Sequence, residues 1–145
     1  MPPPCKAFAE KIKSGAQVTF KETIAMIDEH YVYFEVPFSN GDLSSKPNEN
    51  VGSAKIFSFA LLTRMDEKAC LRLFGEIARD LAPTGSDHMN IRNFMRIGWS
   101  GVSFPTGLAI ASKLATYDDT DSAMKTQSVI EGGESWDPNS DSWMP

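Results

Sequence analysis

Two cysteines and two histidines are all that the chain offers to thiol chemistry or to soft metal ligation. Cys5 and Cys70 cannot build a disulfide framework, which fits a reducing compartment such as the cytoplasm or a plastid stroma. A zinc site would have to recruit both His30 and His88 plus a distant carboxylate. Neither histidine has a His or Cys partner at ligand spacing, so no metal is expected, and no cofactor is implied. The sequence also lacks the GxSxG elbow, the phosphate loop and the dinucleotide fingerprint, which leaves an enzymatic role without a motif to carry it. No basic block or stripe is present, which excludes the electrostatic footprint of a nucleic-acid binder. No apolar run approaches the roughly 20 residues of a membrane-spanning helix. The opening MPPPCKAFAEKIK lacks the apolar stretch of a signal peptide. A soluble chain without direct membrane insertion is expected.

What is present is enough for one domain: 145 residues, 41% of them hydrophobic. The net charge of -5 is unevenly spread. Residues 1–110 balance twelve Lys and Arg against twelve Asp and Glu, whereas residues 111–145 hold two lysines against seven acids. This break divides the chain into a globular domain over 1–110 and an acidic tail over 111–145. The tail, rich in Gly, Ser and Asp, cannot bury enough apolar surface to fold alone. It nevertheless contains Trp136 and Trp143, two of the three tryptophans. Spaced aromatics in an acidic context suit a docking motif, because a tryptophan supplies a large contact area for little entropy; the alternative is a solubilising appendage.

Periodicity predicts an α+β fold, mostly helical, with four to five helices and a short two-stranded sheet. Phe8 and Ile12 share one apolar edge, and Gly15 supplies a stop. Thr19 and Glu22 have capping-box spacing ahead of a face made of Phe20, Ile24, Ile27 and Tyr31. YVYFEVPF reads as a strand that ends at the turn pair Asn40-Gly41, followed by a polar loop, DLSSKPNENVGS. AKIFSFALLTR is apolar on nearly every side, as a central buried helix would be. Asp66 can cap the next helix, where Cys70, Phe74, Ile77, Ala78 and Leu81 share a face up to Pro83, so that Cys70 points inward and is inert. GVSF is the second strand, expected to pair with YVYFEVPF.

The stretch GSDHMNIRNF, residues 85–94, opens the last helix. At about 100° per residue, Ile91, Phe94, Met95 and Gly98 share a face, with Asp87 and His88 at its N-terminal end. Asn90 and Asn93 lie on one flank, and Arg92 and Arg96 on the outer side. Ser86 or Asp87 is expected to be the N-cap, and His88 a half-buried histidine held by a hydrogen bond at the rim of the core.

FKETIAMIDEHY, FSNGDL, GSAKIFSFA and GSDHMNIRNFMRIGWSGVSF, in this order and spacing, resemble the HopJ type III effector family over residues 6–107. The Asp-His-x-Asn-Ile-Arg-Asn-Phe run is the most specific part. The resemblance implies a small α+β domain and no established reaction, in a family that reaches free-living bacteria and algae. Two positions depart from the family pattern. Ala54 stands where members often carry cysteine, which removes any thiol chemistry at that point, and Ser45 stands in place of an asparagine.

The ligand-binding candidates are therefore Asn40, Asn50, Ser53, Lys55, Asp87, His88, Asn90 and Asn93, either converging on one pocket or, for Asn40 and Asn50, serving turns. The preferred reading is a non-enzymatic interaction module or accessory subunit of a larger protein assembly, anchored partly by Trp136 and Trp143. The algal branch allows a peripheral subunit of a plastid complex. One rival is a small enzyme or ligand binder with His88 as general base and Asn90 or Asn93 orienting the substrate; another is a secreted effector, on the family name alone.

Overall fold

A computed structural model describes residues 3–113. Two amphipathic helices open it, α1 (Pro3–Lys13) and α2 (Phe20–His30). Both follow from the local sequence. Gly15 ends the first segment at φ +105°, where an L side chain is strained. The Thr19 hydroxyl accepts from the Glu22 N–H while the Glu22 carboxylate accepts from the Thr19 N–H, a complete capping box for α2.

The chain then forms β1 (Tyr31–Tyr33), β2 (Phe38–Asn40) and β3 (Leu43–Ser45) before α3 (Val51–Leu62). Every residue of α3 from Val51 to Ala60 is buried, as its all-round apolar character requires. The Phe57 ring at its centre lies 5.1 Å from Phe94, 5.6 Å from Phe74, 6.0 Å from Trp99 and 6.2 Å from Phe38. The chain continues through α4 (Glu67–Leu73), α5 (Glu76–Arg79), α6 (Met89–Ile97), a 3-10 turn (Gly98–Gly101), β4 (Val102–Ser103) and β5 (Ile110–Ser112). The fold is thus α+β, and among the described residues no helix is long and apolar enough to cross a membrane.

Four local expectations are corrected. First, YVYFEVPF is not one strand. Pro37 has no N–H for a ladder, so the segment splits. β1 pairs antiparallel with β5, and β2 sits between β3 and β4, giving two small sheets instead of one. The GVSF strand pairs beyond that stretch, with Ser39 opposite Ser103 and Asn40 opposite Val102. β5 carries the folded chain past residue 110 to Ser112. The polar loop also shortens, because Leu43–Ser45 closes a hairpin across Gly41 and Asp42, and Val51–Ser53 already belong to α3.

Second, the helix begun by Asp66 breaks in two, and the described residues hold six α-helices, not four to five. Asp66 caps as expected, accepting from Ala69 N–H at 2.9 Å. Gly75 then turns to φ +62°, and a Cβ there would stand 2.4 Å from the Phe20 nitrogen. The break brings the chain against the start of α2, where the Glu76 carboxylate accepts from Phe20 N–H at 2.9 Å.

Third, neither Ser86 nor Asp87 caps α6. His88 occupies the N-cap position in left-handed conformation, φ 52°, without a side-chain cap bond. The Asp87 carboxylate is drawn away by Arg92, 2.6 Å distant. Fourth, Met95 does not share the core face of α6. It is 48% exposed, whereas Asn90, Ile91, Asn93 and Phe94 are buried. The helix is rotated because the hairpin offers its asparagine partners on that side.

Candidate functional site

Asn40, Asn90 and Asn93 come together. β2 ends at Asn40, which is fully buried, and its Nδ2 donates to Asn90 O at 2.8 Å and to Asn90 Oδ1 at 3.1 Å. Asn93 answers from one turn further along α6, its Nδ2 donating to Asn40 O at 2.8 Å and to Asp42 Oδ1 at 3.3 Å. The Asn93 Oδ1 accepts from Arg96 at 3.2 Å. Sequence spacing explains the geometry: residues three apart on a helix face the same neighbour, and the turn at Gly41 holds the hairpin against them. Gly41 turns at φ +66°, a conformation that L side chains rarely adopt, and the tip of the Ile97 side chain packs where a Cβ would stand. The result is a clamp of amides that fixes β2 to α6. Within it the buried Asn40 Oδ1 has no hydrogen-bond partner among the described residues.

The other candidates lie apart from the clamp. Asn50 is left-handed at φ 51° ahead of α3, and its Nδ2 donates to Ser45 Oγ at 2.8 Å. Ser53 is buried in the first turn of α3. Lys55, 7% exposed, sends its Nζ to Asp28 Oδ1 at 2.7 Å and over the Tyr33 ring at 5.3 Å from the centroid. Its charge is thereby tied to α2 and β1. Ala54 is fully buried.

At the head of α6, the His88 side chain is only 6% exposed, and its Nε2 stands 3.8 Å from Asp87 Oδ2. Burial pushes its pKa below the ordinary value; Asp87 opposes this, and Arg92 adds to it. Burial thus favours the neutral imidazole at His88. The hydrogen bond from Arg92 holds the Asp87 carboxyl below the usual range. Arg92 also donates to Asp87 O at 2.6 Å and to Ala82 O at 2.9 Å, which staples the 82–87 loop to the helix. Both cysteines are buried, and burial pushes the Cys5 thiol up, away from the thiolate that reactivity requires. Among the described residues no group of His, Cys, Asp and Glu is arranged to hold a metal ion.

Behind that staple, Leu81, Pro83, Met89, Arg92, Met95 and Arg96 border an open groove of about 590 Å³. Sequence reasoning placed the two arginines outward without seeing the groove. A signal was present, because Met89, Arg92, Asn93 and Arg96 follow the i, i+3, i+4, i+7 pattern of one helix face. Trp136 and Trp143 lie outside the described residues.

The sequence pattern of the family described as HopJ type III effector protein matches residues 5–108. No curated protein matches the chain. A solved crystal structure described as unknown function protein VPA0580 is similar, with 38% identity and a TM-score of 0.71 over 78% of this chain and 95% of that one.

Proposed function

The chain belongs to the HopJ type III effector protein family, and from that premise we propose that it is a non-enzymatic interaction module, an accessory component of a larger protein assembly that is held partly through its C-terminal residues 111–145. The observation that carries this reading is the commitment of the polar side chains within the fold. Asn40, Asn90 and Asn93 hold the hairpin to α6, Asn50 holds a turn, and Lys55 is paired with Asp28. A general-base role for His88 is supported only by its neutral state; Asn90 and Asn93, which would orient a substrate, turn their amides toward the hairpin. The family's own description supports a second reading, a translocated effector.

In this proposal Trp136 and Trp143 are the anchors, since aromatic side chains dominate interface energetics. Affinity purification from the native source with the whole chain and with a chain ending at residue 113 tests it. A partner held at constant stoichiometry by the whole chain and lost by the shorter one is the expected result. Equal recovery by both removes the C-terminal residues from the account.

A further inference from the structure

We propose that the segment from Glu131 to Trp143 docks in cis on the α6 groove as a latch, with Trp136 against Met95 and the neighbouring acids against Arg96. This rests on the reading that the C-terminal residues are the contact element, and it adds where they rest when no partner holds them.

The groove has the chemistry for such an occupant. Met95 is the exposed large hydrophobic among the described residues, and Leu81, Pro83 and Met89 extend its apolar surface along the groove. Thioether sulfur and guanidinium groups both favour an aromatic ring. The charges are complementary as well. Arg92 and Arg96 belong to the groove's lining, which among the described residues includes no Asp or Glu, while residues 131–143 contain Glu131, Glu134, Asp137 and Asp141 and no Lys or Arg. Arg92 is already engaged by Asp87, so the exposed Arg96 is the cation left for Glu134 and Asp137, which flank Trp136.

Reach does not limit the contact. Twenty-two residues separate Lys113 from Trp136. They span about 75 Å when extended and about 25 Å as a flexible coil. A folded part of this size has a radius of gyration near 13 Å. Tethering at such a distance gives an effective concentration on the order of millimolar, so a contact too weak to form between free molecules is populated within one chain.

Hydroxyl-radical footprinting of the full chain tests the latch, with oxidation of Met95 read by mass spectrometry against the buried Met65. In the wild-type chain Met95 is expected to oxidise slowly, at a rate independent of protein concentration. Trp136→Ala, or Glu134→Arg with Asp137→Arg, should speed it several-fold. Adding Arg96→Glu to the Glu134→Arg, Asp137→Arg chain should slow it again by restoring opposite charges. Equal oxidation of Met95 in the wild-type and Trp136→Ala chains overturns the latch. Protection that grows with protein concentration also overturns it, since the occupant is then a second copy. A partner that still depends on residues 114–145 while Met95 stays equally reactive in every variant leaves the interaction module standing and removes only the cis site.

Discussion

Replacing Asn40 separates a structural clamp from a ligand-binding group. Asn40→Ala removes the two Nδ2 hydrogen bonds to Asn90, each contributing about 1 kcal/mol net, and leaves the buried Asn90 Oδ1 without its donor at a further cost of about 1–3 kcal/mol. It also deletes the orphaned Asn40 Oδ1, and the relief is of the same size. The net loss is about 2 kcal/mol, a fall in Tm of roughly 8 °C for a folded part of about 110 residues. Asn40→Asp is the sharper test. It sets an acceptor where a donor now faces Asn90 O at 2.8 Å, and it buries a carboxylate, so it must destabilise well beyond Ala. Urea unfolding with an unchanged m-value gives the comparison. The order wild type, Ala, Asp in falling stability is expected. An Ala variant as stable as wild type, or more so, would refute the clamp and point to a side chain kept for a ligand at the expense of stability.

Three further outcomes follow from the same geometry. His88 has a folded-state pKa below its unfolded value near 6.5, so the unfolded chain binds the extra proton; stability is full above that pH and falls as pH drops through 6.5 toward the depressed folded value. His88→Gln should flatten the stability profile in this window and leave the loss below pH 4, to which Asp87 contributes, in place. Gly75→Ala forces a Cβ to 2.4 Å from Phe20 N at φ +62°, and a loss of at least about 3 kcal/mol, or no folded protein, is expected by circular dichroism. Asp28→Ala should destabilise more than Lys55→Met. The first strands a buried ammonium and the second leaves a half-exposed carboxylate to water, so equal midpoints would contradict the ion-pair assignment.

Local signals in the sequence carried far where their cause was local. The Thr19–Glu22 capping box, the Asp66 cap, the Gly15 stop and the largely apolar α3 need only their own residues to be understood. What sequence could not show depended on distant partners. Gly75 breaks a helix because the backbone of Val18–Phe20 lies against it. Met95 leaves the core face because Asn90 and Asn93 turn toward Asn40. β5, three residues long, is too short for a period to register. The candidate residues were legible as a set of polar side chains. Their split into a clamp, a turn, an ion pair and a stapled loop was not, since side chains fifty residues apart decide it.

The most direct test of the interaction-module account compares three full-length chains in capture from the native source: wild type, His88→Gln, and Trp136→Ala with Trp143→Ala. The account predicts that wild type and His88→Gln hold the same protein in the same proportion and that the double tryptophan variant loses it while remaining folded. Retention by the double variant, or loss by a folded His88→Gln chain, would contradict it.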